Sequence, residues 1–93
     1  MHMEKLPSDF EIAVRVYNYN CMGEPVWLKK LVDDLDKKIS RVTISKNLDQ
    51  LFDLGIVSSE WEKIGGKWVR TFRISEEAIS LISAIAEKYP IQS

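Results

Sequence analysis

The hydrophobic pattern of the chain changes within residues 40–74, which read SRVTISKNLDQLFDLGIVSSEWEKIGGKWVRTFRI. In the first half of this stretch the apolar residues recur at helical spacing; they are Ile44, Leu48, Leu51 and Phe52. Ser40 is the expected N-cap, because its hydroxyl can accept a hydrogen bond from a free amide of the first turn. Gly55 is the expected C′ residue, since glycine adopts the left-handed conformation without penalty. The pattern predicts an amphipathic helix over residues 40–54.

After Gly55 the period falls from about 3.6 residues to about two, which is the period of a β-strand. Gly65 and Gly66 suit a two-residue turn that needs positive φ, and they predict a hairpin over 57–74. Such a turn pairs Lys63 with Trp68, Trp61 with Arg70, and Ser59 with Phe72. This register gives one face Val57, Trp61, Trp68, Phe72 and Ile74, and the other face Glu60, Glu62, Lys67, Val69 and Arg73. A three-residue loop would instead turn the side chains of one strand over.

Two more helices are predicted before this stretch. Ser8 and Glu11 have the spacing of a capping box and indicate the start of a helix over 8–20. Pro25 is expected in the first turn of a second helix, over 25–35, because that position needs no amide proton. Both helices carry apolar residues at helical spacing, so each is predicted to pack one side on a core.

A last helix is predicted over 76–89, with Ser75 as its cap. Its apolar residues form a surface wider than one core-facing stripe; they are Ile79, Leu81, Ile82, Ala84, Ile85 and Ala86. One helix in so small a domain does not need so wide an apolar surface. We therefore expect a homodimer that forms through the C-terminal helix, with contacts from Ile79, Ile82, Ile85 and Ala86.

The composition excludes several classes of protein. The 93 residues, 45% hydrophobic and 29% charged, predict one small globular domain over 1–93. Cys21 is the only cysteine, so no intramolecular disulfide or cysteine-based zinc site can form, and a cytoplasmic setting is expected. The only histidine is His2, and no apolar run is long enough to cross a membrane. No catalytic site can be assembled from these residues, so the chain is not expected to be an enzyme. No metal, cofactor or particular small-molecule effector is predicted.

The predicted order is helix, helix, helix, hairpin, helix, which is a mostly helical α+β fold: a helix-turn-helix followed by a wing. Residues 40–51 and 54–57 resemble the recognition-helix region of winged helix-turn-helix transcriptional regulators, of the ArsR/MarR-like kind found in bacteria and archaea. Residues 60–63 and 66–71 are similar to the wing of small archaeal regulators of this group. The resemblance implies a regulator of double-stranded DNA, with the recognition helix in the major groove and the 63–70 wing on the backbone or minor groove. The metal-binding cysteine pairs of arsenic-responsive members are absent from the sequence, so no metal-sensing role is implied.

The exposed side of the predicted recognition helix suits a DNA groove. Arg41 can contact guanine or a phosphate, and Val42 can contact a thymine methyl group. Thr43 and Ser45 carry short hydroxyl side chains that can bond phosphates or base edges, and Lys46 lies about a turn beyond Val42. The predicted DNA-binding residues are Lys37, Lys38, Ser40, Arg41, Val42, Thr43, Ser45, Lys46, Lys63, Lys67 and Arg70.

The net charge of −1 taken alone argues against DNA binding, but the charged residues are unevenly distributed along the chain. Residues 37–46 hold four cations and no acid, and residues 63–73 hold another four and no acid. The rest of the chain carries five basic and fourteen acidic residues, a net charge of −9. Phosphate neutralisation depends on local charge, so a molecule of this kind can bind DNA through its two basic segments.

Other interpretations compete with DNA contact at single residues and for the whole chain. Arg70 could stack on Trp61 or Trp68 as a cation–π contact. These two tryptophans and Trp27 are predicted to pack in the core and at the base of the wing rather than to stack on bases. Asp49 is interpreted as a solvated charge, with contact to cytosine as the alternative. A winged helix can also be a protein-interaction module in a multisubunit assembly, without direct DNA binding.

Overall fold

The computed structural model describes residues 6–35 and 38–90, within which the elements follow the predicted order. The helices of these residues are α1 (Ser8–Cys21), α2 (Leu28–Asp34), α3 (Arg41–Asp53) and α4 (Ile79–Lys88). The strands β1 (Val57–Ile64) and β2 (Lys67–Ile74) form an antiparallel hairpin, and a 3-10 turn, Glu76–Ala78, leads into α4. The fold is mostly helical α+β, with the hairpin between the third and fourth helices.

Local sequence determines both ends of α3. The Ser40 hydroxyl accepts a hydrogen bond of 3.2 Å from the amide of Thr43, as the N-cap prediction requires. At the other end Gly55 has a φ of 76°, and the amide of Ile56 donates to the carbonyl of Leu51 at 2.9 Å. This bond closes a Schellman motif, in which glycine lets the chain reverse direction.

The hairpin turn and its register are also confirmed. Gly65 and Gly66 have φ values of 59° and 82°, so both central residues of the turn lie in the left-handed region. The strands pair Lys63 with Trp68, Trp61 with Arg70, and Ser59 with Phe72. The two faces of the hairpin are therefore those that a two-residue turn predicts, and the three-residue loop is excluded.

The predicted capping box at the start of α1 is wrong. Within the residues that the structure describes, no side chain caps this helix, and the residue before it is Pro7. The Ser8 hydroxyl instead accepts a hydrogen bond of 2.9 Å from the side-chain amide of Asn47. Glu11 is turned along the helix toward Arg15, with 3.7 Å between their charged atoms. A tertiary contact to α3 thus replaces the local cap.

The second helix does not begin at Pro25, because the residues after it pair with β2. The amide of Phe72 donates to the carbonyl of Val26 at 2.9 Å, and Trp27 forms a β-bridge with Thr71. An extended segment here satisfies backbone groups on the outer edge of β2, which a helix over 25–35 would leave without protein partners. The second helix is correspondingly short, Leu28–Asp34.

The last helix also begins differently from the prediction. The Ser75 side chain makes no cap; its hydroxyl donates to the carbonyl of Gly55, and its amide donates to the carbonyl of Ile56 at 2.9 Å. These bonds attach the end of the hairpin to the end of α3. The 3-10 turn then precedes α4, so the α-helical part is shorter than the predicted 76–89.

α1 lies at the centre of the fold, in contact with α3, α4 and β2. The other core side chains come from the rest of the described chain; they are Val26, Leu31, Leu35, Ile44, Leu48, Leu51, Val57, Phe72, Ile74, Ala78 and Ile82. Phe52, the fourth apolar residue of the helical pattern in α3, is 45% exposed and does not belong to the core. Its ring lies under the guanidinium of Arg70 instead. No helix in the described part of the chain is both long and apolar enough to cross a membrane.

Candidate nucleic-acid interface

The first two turns of α3 present cations and an apolar side chain on the outer side of the helix. Arg41, Val42 and Lys46 are all exposed, with Val42 at 69%. The opposite side of α3 is buried through Ile44 and Leu48. Because Val42 and Lys46 are four residues apart, they lie on one ridge of the helix. This ridge is free to approach another surface.

The same ridge becomes acidic in the second half of α3. Asp49 and Asp53 continue it at helical spacing from Lys46, and both are exposed. Carboxylates at these positions repel phosphates, whereas the first two turns attract them. The helix can therefore approach a polyanion by its N-terminal half alone.

The hydroxyl groups at the start of α3 are partly engaged with each other. Ser40 donates a hydrogen bond of 3.0 Å to the hydroxyl oxygen of Thr43 and also accepts from the amide of that residue. Ser40 is exposed and Thr43 is half-buried. Ser45 is half-buried and lines a groove between α3 and β2. Lys38 is exposed just before this helix, and Lys37 lies outside the described residues.

The groove between α3 and the hairpin has a volume of about 320 Å³. Its lining comes from the start of α2, the middle of α3 and the inner part of β2; the residues are Trp27, Leu28, Lys29, Ser45, Leu48, Asp49, Trp68, Val69, Arg70 and Phe72. The groove brings the second turn of α3 next to the basic part of the hairpin. The two acid-free segments found in the sequence are thus neighbours in the fold.

Arg70 connects β2 with the outer side of α3. Its guanidinium lies 5.3 Å from the ring centroid of Phe52 and 5.1 Å from that of Phe72. The alternative considered for Arg70, stacking on Trp61 or Trp68, is not what the structure shows, since its cation–π partners are these two phenylalanines. Because Arg70 is half-buried, its cation is held beside α3.

The tip of the hairpin carries the more accessible cations. Lys63 and Lys67 flank the glycine turn, and both are exposed. They belong to opposite faces of the hairpin, because Lys63 pairs with Trp68 while Lys67 pairs with Ile64. The tip can therefore place positive charge on either side of a narrow groove or along a backbone.

The prediction that all three tryptophans pack in the core or at the wing base is wrong for Trp61 and Trp68. Each of these two is 66% exposed, whereas Trp27 is half-buried beside β2. The sequence contained a signal for this, because the predicted register already put Arg70 opposite Trp61 and Lys63 opposite Trp68. Lysine and arginine side chains are seldom fully buried, so cations near the tip of the hairpin indicate that this part of the face is exposed to solvent.

The outer surface of α4 differs in part from the predicted dimer contact. Ile82 is fully buried in the core of its own chain, so it has no surface left for a partner and its assignment is corrected. Ile85 and Ala86 are half-buried, while Ile79 is exposed. Leu81, which was not among the expected contacts, is 52% exposed.

Comparisons with known proteins give the fold. No protein-family model matches the chain, and no curated protein matches its sequence. The transcriptional repressor BigR from Xylella fastidiosa is similar in structure, with a TM-score of 0.68, 19% identity, and coverage of 96% of this chain and 81% of that chain. A PadR family transcriptional regulator from Eggerthella lenta DSM 2243 has a TM-score of 0.60, 19% identity, and coverage of 88% and 73%. The arrangement of helices and hairpin is thus a winged helix-turn-helix.

Proposed function

We propose that this protein is a DNA-binding transcriptional regulator that inserts the first half of α3 into the major groove and sets the hairpin tip on the backbone or the minor groove. The observation that carries the proposal is the adjacency of the two acid-free basic segments. Arg70 contacts Phe52, and the groove beside them is lined by both Ser45 and Trp68. The structural neighbours support the proposal, since both are described as transcriptional regulators.

Five exposed residues of α3 have roles that fit their chemistry. Arg41 and Lys46 neutralise phosphates or bond guanine, and Val42 meets a thymine methyl group. Asp49 and Asp53 keep the second half of the helix away from the backbone. The helix therefore enters the groove by its N-terminus, as recognition helices do.

The hairpin supplies the second contact. Lys63 and Lys67 stand at its exposed tip, and both can neutralise phosphates beyond the reach of α3. Lys38, which is exposed just before α3, adds to the basic surface in this proposal. Lys37 is included for its charge and its place in the sequence alone. A protein that acts in this way works on chromosomal DNA, and we propose the cytoplasm of a prokaryotic cell as its location.

A homodimer through α4 completes the proposal, because one module of this size contacts too few base pairs for useful selectivity. Leu81 and Ile85 lie on one flank of the buried stripe of α4, while Ile79 and Ala86 lie on the other.

Leu81→Asp and Ile79→Asp therefore test the two flanks separately. In sedimentation velocity we expect a dimer for the natural protein and a monomer for one of the variants. A natural protein that stays monomeric at high micromolar concentration contradicts the dimer.

The test of DNA binding is a fluorescence anisotropy titration of random-sequence duplexes at several salt concentrations. We expect log affinity to fall linearly with log salt, and Arg41→Ala or Lys46→Ala each to reduce the slope by about 1 if the contact is to a phosphate. Lys88→Ala is the matched control, because it removes the same charge from the exposed end of α4. We expect it to leave the slope unchanged.

Selection of bound sequences from the same pool then measures specificity. We expect recurring half-sites separated by about one helical turn if the dimer binds both. A protein with no salt-dependent affinity for any duplex, or with an affinity that Arg41→Ala and Lys46→Ala together leave unchanged, does not have the proposed function. The alternative interpretation, a protein-interaction module without direct DNA binding, would then be favoured.

A further inference from the structure

The outer half of one hairpin face combines two tryptophans with two cations. Trp61 lies opposite Arg70, and Lys63 lies opposite Trp68, so all four side chains project from the same side of the sheet. No acidic residue of β1 or β2 lies on this face, which is completed toward the base by Ser59, Phe72, Val57 and Ile74. We name the four residues Trp61, Lys63, Trp68 and Arg70 the tryptophan face.

The reverse side of the hairpin has a different character. It carries Glu60 and Glu62 among its residues, and the carboxylate of Glu62 accepts a hydrogen bond of 2.6 Å from the hydroxyl of Thr71. The acids of the hairpin are thus confined to one side and the tryptophans to the other. This separation makes the tryptophan face complementary to an anionic ligand that also has aromatic or apolar surface.

Three residues of the tryptophan face, Trp61, Lys63 and Trp68, are exposed, while Arg70 is half-buried over the rings of Phe52 and Phe72. Near the base of the hairpin the same face is buried, with Val57, Phe72 and Ile74 in the core. Further out, Trp61 and Trp68 each keep 66% of their surface exposed. Single exposed apolar residues are ordinary, but two indoles on one acid-free face form a patch of the kind that marks a binding site.

The spacing of the two tryptophans fits planar rings. Trp61 pairs with Arg70, and Trp68 is two residues from Arg70 along β2, so the tryptophans are diagonal neighbours. Diagonal positions on a hairpin are roughly 7–8 Å apart. This is about twice the rise of 3.4 Å between stacked bases. Indoles that project from neighbouring positions at this spacing can each stack on a base.

We infer that the tryptophan face binds single-stranded DNA, with unpaired bases stacked on Trp61 and Trp68 and the adjoining phosphates neutralised by Lys63 and Arg70. Cations beside aromatic side chains are the combination by which proteins hold single strands without reading their sequence. A duplex does not offer this ligand, because its bases are already stacked on one another. The inference goes beyond the proposed function, in which α3 and the hairpin tip bind duplex DNA.

The experiment measures the affinity of the full chain for a short fluorescein-labelled oligo-dT strand and, in parallel, for a duplex of random sequence. The double variant Trp61→Ala with Trp68→Ala is expected to lose about tenfold or more in affinity for the single strand. The matched variant Trp61→Phe with Trp68→Phe keeps rings that can stack, so it should retain most of the affinity.

Two further readouts separate stacking from a general effect. Stacked bases quench indole fluorescence, so oligo-dT should quench the emission of the natural protein and leave the remaining Trp27 emission of the double alanine variant nearly unchanged. The thermal midpoint of each variant verifies folding, which substitution of side chains this exposed should not disturb. The affinity of the double alanine variant for the duplex should change by less than about twofold, since paired bases present no free ring face.

The outcomes distinguish this inference from the proposed function. Binding of oligo-dT without binding of any duplex supports the inference and contradicts the proposed function. Binding of duplex without binding of oligo-dT overturns the inference and leaves the proposed function standing. Equal losses for duplex and single strand in the double alanine variant also overturn the inference, because the tryptophans would then be duplex contacts. A folded double alanine variant with unchanged affinity for oligo-dT overturns it as well.

Discussion

The guanidinium of Arg70 lies 5.3 Å from the centroid of the Phe52 ring, and this contact joins β2 to the outer side of α3. It sets the hairpin beside the helix that carries Arg41 and Lys46, and so brings two basic segments together that are far apart in the sequence. Arg70 also covers the ring of Phe72, which belongs to the core. Arg70 thus lies at the edge of the core, between the hairpin and α3.

The contact of Arg70 with Phe52 should contribute measurably to stability. In a double-mutant cycle of Arg70→Met and Phe52→Leu, we expect a coupling free energy of about 0.5–1 kcal/mol, the usual range for a cation–π pair near the surface. Urea unfolding of the four proteins measures it. Arg73→Met is the control partner for Phe52→Leu, because Arg73 lies on the reverse side of the hairpin. Coupling of the same size with Arg73 would show that the effect is not specific to the pair.

The hydrogen bond from Asn47 to Ser8 attaches α3 to the start of α1. Asn47 is buried, so Asn47→Ala removes the donor and should lower the free energy of unfolding by about 1–2 kcal/mol. Gln50→Ala, at an exposed position of the same helix, should change it by less than about 0.5 kcal/mol. Urea denaturation compares the two variants. Equal effects would mean that helix propensity, and not the contact with Ser8, determines the loss.

Gly55 tests the cost of backbone conformation by itself. A Cβ atom added there meets nothing within 4 Å, yet the φ of 76° lies in the left-handed region. Gly55→Ala should therefore destabilise the fold by about 1–2 kcal/mol through backbone strain alone. Gly55→Asn should cost less, since asparagine tolerates this region better than alanine. A Gly55→Ala variant as stable as the natural protein would contradict the assignment of Gly55 as C′ residue.

Tyr19 should make the stability of the protein depend on pH in the alkaline range. Burial raises the pKa of Tyr19 to about 12, and the hydrogen bond to Asp34 and the negative charge of that carboxylate act in the same direction. In the unfolded chain the pKa of a tyrosine is about 10. The unfolded state thus loses the proton first, so the contribution of Tyr19 is complete below pH 10 and disappears as the pH rises from about 10 to about 12.

Two substitutions test this assignment. Tyr19→Phe should remove the part of the stability loss between pH 10 and about 12 that is due to this phenol. Asp34→Asn should bring the pKa of Tyr19 back toward 10 in a spectrophotometric titration, because it removes a nearby negative charge. Asp33→Asn is the control, since the hydroxyl of Tyr19 donates to Asp34. An identical titration of Tyr19 in the Asp34→Asn and Asp33→Asn variants would exclude the proposed partner.

Some functional features could be read from the sequence because their causes are local. The basic start of α3 lies next to its own cap, and the hairpin turn needs only two adjacent glycines. The exposure of Trp61 and Trp68 does not follow from the sequence, since the strand period indicates which face a residue is on but not how far the core extends beneath it. The same limit applies to Ile82 and Leu81, of which only the first reaches the core.

The sequence by itself determined α3, the hairpin register and the separation of charge along the chain, because caps, turns and strand alternation act between residues a few positions apart. Only the tertiary structure decided the partners of Ser8, Val26 and Ser75. These groups could have formed local bonds, as the predicted capping box and the predicted helix over 25–35 require. They bond instead to distant parts of the chain, because packing around α1 brings those parts within reach and a buried polar group must find a partner there.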